Sequence, residues 1–246
     1  MNSGHAAEEG GSADRARLRE ILRDAGVYVV TEESLSAGRR SEEIAEAALE
    51  AGVRVIQVRE KDGSARRALE IARAVRLLTR RYDALLIVND RLDIAIAAGA
   101  DGVHLGQADL PIADARQLLG NGALIGLSIT DLGQLSAPDI AAADCLGVGA
   151  VFPTGSKADA TLTGLALLTA ARAAAVAATA GSGFVAPIVA IGGITAENAA
   201  RAVSAGADVV AVISAITGAP DPGRAAESLL AAVRAAAPNA ARAAAR

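Results

Sequence analysis

Eight short apolar segments recur along this chain, and most of them are followed by an amphipathic segment with helical spacing. Apolar runs that alternate with helical patterns are typical of βα units and a parallel sheet. We expect the strands to begin near Val27, Val53, Ala84, Gly102, Leu124, Leu146, Ile188 and Val209. An open, doubly wound sheet has similar local patterns, but eight successive units in 246 residues favour a single (β/α)8 barrel, the TIM-barrel architecture.

A short phrase at the junction between helix and strand supports this repeat. It occurs as Ala51-Gly52-Val53, Ala98-Gly99-Ala100-Asp101 and Ala205-Gly206-Ala207-Asp208. Glycine is the preferred residue immediately after a helix, so each phrase predicts the end of one helix and the start of the next strand.

The two ends of the chain differ in composition from the region between them. Residues 1–13 are rich in Gly, Ala, Ser and Glu and predict a disordered arm, whereas residues 237–246 predict a fraying Ala/Arg tail. We therefore assign the catalytic barrel to residues 14–236. The arm lacks the apolar segment of a secretory signal, and no apolar run is long enough to span a bilayer. We expect a cytoplasmic protein with no membrane partner.

Composition also limits the function. Two Phe, two Tyr and no Trp leave few side chains for base stacking, and the formal net charge of −4 argues against a general polyanion-binding surface. Nucleic acid is therefore not an expected partner. The single cysteine, Cys145, excludes an intramolecular disulfide and a cysteine-cluster metal site.

Lysine is rare in this chain. Lys61 and Lys157 are the two lysines among 24 Lys and Arg residues, and each follows an apolar run that we interpret as the end of a strand. An ammonium group meets phosphate oxygens differently from a planar guanidinium, so lysine retained at two strand ends indicates phosphate binding. The alternative is two surface lysines without a function.

The end of the second predicted strand is strongly polar. Alternation along a strand places Gln57, Arg59 and Lys61 on one side and Val58 and Glu60 on the other. Three donors at the carboxyl end of a barrel strand suit a diphosphate. A solvated edge with an Arg–Glu pair is the alternative interpretation.

Two aspartates follow the third and fourth predicted strands. Asp90 and Asp109 provide the carboxylate oxygens that Mg2+ prefers, with substrate phosphates as further ligands. Each aspartate also lies just before a predicted helix, so helix capping is the competing explanation. His104 lies between them in the sequence. It is interpreted either as a buried, hydrogen-bonded structural residue or as a catalytic residue.

The later strand ends carry small and hydroxyl-bearing residues. Gly193 and Ser214 follow strands seven and eight, where many barrels bind a monophosphate through exposed N–H groups. The segment from Thr154 to Lys157 adds hydroxyl groups and an ammonium. The alternative for the glycines is that the turn after strand seven requires them. Ser128, near the end of strand five, could contact a ligand or cap the next helix.

These strand ends resemble the thiamine-phosphate synthase family over about residues 27–230. The motifs, in order, are Gln57-x-Arg59-x-Lys61, Asn89-Asp90, Val103-His104-Leu105-Gly106-Gln107, Pro153-Thr154-x-Ser156-Lys157, Ile191-Gly192-Gly193-Ile194 and Ile213-Ser214. The resemblance implies condensation of 4-amino-2-methyl-5-hydroxymethylpyrimidine diphosphate with 4-methyl-5-(2-phosphoethyl)thiazole, which gives thiamine phosphate and diphosphate.

The resemblance also implies a role for each matched residue. The pyrimidine diphosphate would be held by Gln57, Val58, Arg59, Glu60, Lys61, Asn89, Ser128 and Lys157, of which Arg59, Lys61, Ser128 and Lys157 would be catalytic. The thiazole phosphate would be held by Thr154, Gly155, Ser156, Gly193, Ile213 and Ser214. Asp90 and Asp109 would bind one Mg2+ per subunit. The sequence leaves the choice between a monomer and a homodimer open.

Two features depart from the family pattern. Ser156 stands where the family usually has a second threonine, and serine still provides a hydroxyl donor. Residues 170–183 form a longer, Ala-rich segment before strand seven, for which the sequence suggests no function.

Two other functions remain open from the sequence. A thiazole tautomerase of the same fold needs the thiazole-phosphate pocket but not the diphosphate residues. A non-catalytic sensor of phosphorylated thiamine intermediates would bind its ligand without turnover.

Overall fold

The barrel is closed. The computed structural model describes residues 3–61, 63–155, 162–180 and 183–244. Eight parallel strands pair in sequence order, and the last pairs with the first. They are β1 (Val27–Thr31), β2 (Val55–Val58), β3 (Leu85–Asn89), β4 (Gly102–Leu105), β5 (Leu124–Ile129), β6 (Cys145–Val148), β7 (Ile188–Ile191) and β8 (Val209–Val212). The predicted (β/α)8 barrel is confirmed, and every strand begins within two residues of its predicted start.

Helices surround the barrel. They are α1 (Ser3–Asp24), α2 (Ser41–Glu50), α3 (Ala65–Arg81), α4 (Leu92–Ala98), α5 (Ile112–Leu119), α6 (Ala137–Ala142), α7 (Gly164–Ala178), α8 (Ala199–Ser204), α9 (Ser214–Thr217) and α10 (Pro222–Ala244). Single 3-10 turns occur at Glu33–Leu35 and Leu132–Gln134. Gly99 ends α4 with a φ of 63°, which confirms the glycine cap predicted from the repeated phrase. None of the helices in the described part of the chain is both long and apolar enough to span a bilayer.

Two strands are shorter than the sequence suggests. We expected strand two to reach Lys61 and strand six to reach Lys157, but β2 ends at Val58 and β6 at Val148. After β6 the chain still follows its neighbour, because the N–H of Val151 donates to the carbonyl of Ile191 at 2.9 Å. Pro153, which has no N–H, then ends this pairing. The apolar composition of residues 150–153 therefore reflects packing beside β7 rather than membership of a strand.

Helix α1 covers the amino-terminal end of the barrel. Leu22 is 1% exposed and packs with Tyr28 and Val30 of β1 inside the barrel. The first turns of α1 cover residues 3–13, so the boundary that the sequence places at residue 14 is not marked by a change of secondary structure. At the other end, α10 likewise extends through residues 237–244.

Three aspartates, two of which end the repeated phrase, have the same structural role. Asp101, Asp144 and Asp208 immediately precede β4, β6 and β8, and each accepts a hydrogen bond from the first or second N–H of the preceding odd-numbered strand. Each also pairs with an arginine of the helix that precedes that odd-numbered strand, which is α3, α5 or α7. The pairs are Arg76–Asp101, Arg116–Asp144 and Arg172–Asp208. A carboxylate at this position thus ties two strands and one helix together at the end of the barrel opposite the strand carboxyl ends.

Candidate active site

A cavity of about 360 Å3 opens at the carboxyl ends of the strands. Its walls come from the β4–β8 side and combine apolar surface from Ile191, Ile194 and Ile213 with small or polar groups at the rim. The rim residues include Gly106, Gln107, Ser128, Thr130, Gln134, Thr154, Gly193 and Ser214. An apolar cavity with a few polar groups around it suits a small ring that carries a polar substituent.

The structure brings most of the predicted thiazole-phosphate residues together. Thr154, Gly193, Ile213 and Ser214 all line the cavity, although they come from three separate strand ends. Gly155 is exposed next to Thr154, and a Cβ there would contact nothing. Ser156 and Lys157 lie outside the described residues, so their predicted roles remain predictions.

The two glycines after β7 are required by packing as well as by the turn. Gly192 and Gly193 have φ values of 99° and 63°, a region that disfavours other residues. A Cβ on Gly192 would lie 2.6 Å from the Cα of Ala150, and one on Gly193 would lie 2.9 Å from the carbonyl carbon of Phe152. Asn198 fixes the turn by donating to the Gly193 carbonyl at 2.8 Å. The backbone therefore closes tightly around this side of the cavity.

The donors after β2 have specific partners. The Gln57 side chain is inside the barrel, 5% exposed, and its Nε2 donates to Tyr28 Oη at 2.7 Å. Arg59 forms a buried ion pair with Glu32, which follows β1. Val58 packs in the layer between the barrel and the helices. The predicted alternation is therefore observed for Gln57 and Val58, and the Arg–Glu pair is buried rather than solvated.

Lys61 and the two aspartates form a charged group after β2, β3 and β4. Lys61 Nζ lies 3.6 Å from Asp90 Oδ2, and the carboxyl group of Asp109 lies close to that of Asp90. Burial of the carboxyl group, followed by the nearby Asp109 carboxylate, raises the pKa of Asp90 above its ordinary value, while Lys61 opposes this shift. Two carboxylates are thus held close together at some electrostatic cost.

Neither aspartate caps the helix that follows it. The residue before α4 makes no side-chain cap, and Asp109 Oδ2 instead accepts the N–H of Gly106 at 2.7 Å. Asp90 has a φ of 61°, a left-handed conformation that is uncommon outside glycine and is seen at functional sites. The capping explanation is therefore wrong for both residues.

The donor set is compatible with Mg2+. No cluster of three or more His, Cys, Asp or Glu side chains occurs among residues 3–61, 63–155, 162–180 and 183–244. Mg2+ does not require one, because proteins commonly bind it with one or two carboxylates, waters and substrate phosphates. Asp90 and Asp109 provide hard oxygen ligands, and their mutual repulsion is what a cation between them would relieve.

Ser128 lies on the wall of the cavity. Its Oγ shares a hydrogen bond with His104 Nε2 at 2.9 Å, and its carbonyl accepts from Gln107 Nε2 at 2.8 Å. Asn89, the last residue of β3, pairs in register with His104. Among the described residues predicted to hold the pyrimidine diphosphate, Ser128 lines the cavity, whereas Gln57, Lys61 and Asn89 lie at or after the ends of β2 and β3, outside its lining.

Several residues of the mouth were missed by sequence reasoning. Glu32 pairs with Arg59, Tyr28 binds Gln57, and Gln134 accepts hydrogen bonds from the N–H and hydroxyl of Thr130. The signal for Glu32 was present, because the first strand also ends in polar residues, Thr31-Glu32-Glu33. Tyr28 had no such signal, since a tyrosine within an apolar strand is normally an ordinary core residue.

Comparison with known proteins identifies the family. A family model described as thiamine monophosphate synthase matches residues 27–216, which include all eight strands. The chain belongs to this family.

Individual relatives agree with this assignment. The thiamine-phosphate synthase of Haloarcula marismortui is 50% identical over 210 residues, which is 85% of this chain and 97% of the relative. That of Moorella thermoacetica is 47% identical over 204 residues, 82% of this chain and 93% of the relative. The solved thiamine phosphate pyrophosphorylase from Pyrococcus furiosus has a TM-score of 0.76 and 38% identity, covering 87% of this chain and 98% of that one.

Proposed function

We propose that this barrel mouth joins the pyrimidine and thiazole precursors of thiamine phosphate. As a member of the thiamine-phosphate synthase family, the chain is a transferase of thiamine biosynthesis, and the tautomerase and sensor alternatives are not supported. The proposal rests on two features that lie side by side at the carboxyl ends of the strands. A cavity with a hydroxyl and glycine rim lies beside a group of two carboxylates and a lysine.

The proposed roles divide the mouth into two halves. Thr154, Gly193 and Ser214 hold the thiazole phosphate, joined by Gly155, Ser156 and Ile213 of the same loops. The pyrimidine diphosphate lies toward β2–β5 and is held by Gln57, Val58, Arg59, Glu60, Lys61, Asn89, Ser128 and Lys157. All of these residues belong to one chain, so the proposal applies equally to a monomer and to a homodimer. We place the reaction in the cytoplasm.

Asp90 and Asp109 are the residues that would hold Mg2+. The chemistry that Mg2+ supplies when bound is neutralisation of the charge on diphosphate oxygens.

The reaction needs charge stabilisation more than it needs a protein nucleophile. The bond between the pyrimidine methylene carbon and the diphosphate oxygen breaks, and its electron pair leaves with diphosphate. The thiazole nitrogen then donates its lone pair to that carbon. We assign Lys61 and Arg59 to the charge that builds up on the diphosphate, because fixed cationic donors in a partly enclosed site lower the barrier to such a step. Carboxylates hold both of them, Asp90 near Lys61 and Glu32 against Arg59.

The direct test is product formation from the two purified substrates. With Mg2+ present, we expect equal amounts of thiamine phosphate and diphosphate, and we expect chelation to abolish both. Binding of the thiazole phosphate by calorimetry, without product under any metal condition, would contradict the proposal.

Replacing Lys61 tests its assigned charge role. Lys61→Ala is expected to lower kcat on the order of 100-fold, the cost typical of removing one charge-stabilising group. Lys61→Arg keeps the charge but not the compact ammonium and should recover part of the loss. The Lys61 side chain is 53% exposed, so its pair with Asp90 contributes little to folding and Tm should stay unchanged. Unchanged turnover of Lys61→Ala would show that this role is wrong.

Replacing Ser214 tests the thiazole-phosphate half separately. Ser214→Ala removes one hydroxyl from the cavity rim and should raise KM for the thiazole phosphate about 10-fold, the effect of one hydrogen bond to a charged group. KM for the pyrimidine diphosphate and kcat should change little. Ser204→Ala, an exposed position on α8 outside the cavity lining, is the matched control. An equal rise in both KM values would argue against two separate subsites.

A further inference from the structure

We propose that His104 is a positioning residue that fixes the hydroxyl of Ser128 for the pyrimidine-diphosphate half of the site. The inference rests on the proposed function and assigns a role to a residue that this function does not use. Ser128 lines the cavity, whereas His104 is absent from its lining and contacts Ser128 from within the barrel, with Nε2 2.9 Å from Oγ. His104 therefore acts through Ser128 and not by touching the reacting atoms.

The barrel is built around this imidazole. His104 pairs in register with Gly126, and Gly147 pairs in register with Ser128. A Cβ on Gly126 would clash with His104 Nδ1, and a Cβ on Gly147 would lie 2.7 Å from Cε1 and 2.9 Å from Nε2. Glycine within a strand costs backbone entropy and loses side-chain packing, so two inward-facing glycines against one ring indicate that the ring must occupy this place.

The inner layer of the barrel around His104 is mostly apolar. The inner layer of the barrel includes Val30, Val55, Leu85, Ile87 and Leu124, so a leucine or isoleucine at position 104 would match its neighbours. A polar ring in such a layer requires hydrogen-bonding partners. Its Nε2 meets the hydroxyl of Ser128 at the cavity wall, and this contact connects the barrel interior to the site.

The hydrogen bond restricts how Ser128 meets a ligand. A serine hydroxyl has three staggered χ1 positions, and the contact with His104 selects one of them. The Gln107 amide holds the Ser128 carbonyl at 2.8 Å and so restrains the backbone independently. Loss of the imidazole should therefore free the hydroxyl without moving the strand.

A double-mutant cycle separates positioning from a general structural role. The variants are His104→Asn, Ser128→Ala and the combination of the two, and the measured quantities are kcat/KM and calorimetric affinity for the pyrimidine diphosphate. We expect His104→Asn to lower kcat/KM about 10- to 100-fold, by analogy with the loss found when the partner that orients a metal ligand is removed. Once Ser128 is alanine, the same change should have almost no further effect, because residues that act through each other are not additive.

Other readouts should remain constant if His104 acts only on Ser128. KM for the thiazole phosphate and the effect of Ser214→Ala should be the same with and without His104→Asn. The affinity arm of the cycle needs no turnover, so it applies even where Ser128→Ala is inactive. Full additivity of the two changes, or a parallel rise in both KM values, would overturn the proposal.

A second variant keeps the imidazole of His104 but displaces it from its position beside Ser128. Gly126→Ala inserts a methyl group against His104 Nδ1 and 3.0 Å from Cys145 Sγ, while Gly126 itself does not line the cavity. We expect it to lower kcat/KM for the pyrimidine diphosphate as His104→Asn does, and again with no further effect in Ser128→Ala. Wild-type kinetics in folded Gly126→Ala would contradict the positioning role.

The same set of variants distinguishes this inference from the proposed function. No thiamine phosphate from the wild-type chain would remove the proposed function itself. Product from the wild type with full activity in Ser128→Ala would remove the role of Ser128, and with it the role of His104. Product together with an additive cycle would remove His104 alone.

Discussion

Asp90→Asn is expected to lower turnover on the order of 100-fold or more while making the ligand-free protein slightly more stable. The loss follows from removing one of two proposed Mg2+ ligands beside the diphosphate site. The gain follows from the position of Asp90, whose carboxylate is partly buried and lies against that of Asp109. Asparagine has the same shape and tolerates the left-handed backbone that residue 90 adopts.

The stability effect should depend on pH in one direction. Because the folded-state pKa of Asp90 is raised, ionisation of this carboxyl group disfavours the folded state above that pKa. Removing the charge should therefore raise Tm at neutral pH, by about 2 °C for an effect below ~1 kcal/mol in a chain of this size. Below about pH 4 both forms carry a neutral side chain and the difference should vanish.

The measurements for Asp90→Asn are thermal unfolding with a chelator and with Mg2+, together with kcat. Asp93→Asn is the matched control, because it removes the same charge from an exposed aspartate that pairs with Arg91 on the surface. Mg2+ with diphosphate should raise Tm of the wild type and of Asp93→Asn more than that of Asp90→Asn. A lower Tm for chelated Asp90→Asn would show that the carboxylate contributes to folding instead.

The fold was predictable because its signals are local and repeated. Apolar runs of strand length recur eight times and the glycine phrase at helix ends three times, and the Asp101 and Asp208 phrases mark strand starts. Strand ends were less predictable. Residues 150–153 are apolar because they pack beside β7, and the sequence alone does not distinguish this from membership of a strand.

The candidate site was predictable where a residue type is unexpected for its position. Gln57 at an inward strand position and lysine in an arginine-rich chain are such cases. Side-chain partners across the barrel were not predictable. Glu32 and Arg59 are 27 positions apart in the sequence, and His104 and Ser128 are 24 apart. The register of the strands brings each pair together, and the sequence does not give that register. Likewise, the sequence did not show whether Asp109 caps a helix. The hydrogen bond from the Gly106 N–H to its carboxylate, seen in the structure, argues against capping.

Asp144→Ala is expected to have the largest effect on stability, reducing the free energy of unfolding by about 3–5 kcal/mol. Asp144 is fully buried and lies within ion-pair distance of Arg15, Arg19 and Arg116, while its Oδ2 also accepts the N–H of Ile125 at 2.8 Å. Removal leaves partly buried guanidinium groups and a buried N–H without this acceptor. A Tm decrease of about 10 °C should accompany the loss.

The equivalent aspartates before β4 and β8 provide a graded control. Asp101 is 12% exposed and pairs with one arginine, and Asp208 is 32% exposed and also pairs with one. Chemical denaturation should therefore rank the losses as Asp144→Ala, then Asp101→Ala, then Asp208→Ala. Asp144→Asn retains an acceptor for Ile125 and should recover part of the loss. Equal losses in all three alanine variants would show that the shared strand contact, and not the number of arginines, determines the stabilisation.

Activity provides the final distinction for Asp144. Asp144 precedes β6 and so lies at the opposite end of the barrel from the cavity, which is formed after the strand carboxyl ends. At a temperature where Asp144→Ala remains folded, both KM values should match those of the wild type. A change in either KM under those conditions would mean that the end of the barrel covered by α1 influences the mouth through the strands. The stability of the barrel and the chemistry of its mouth would then not be separable in this chain.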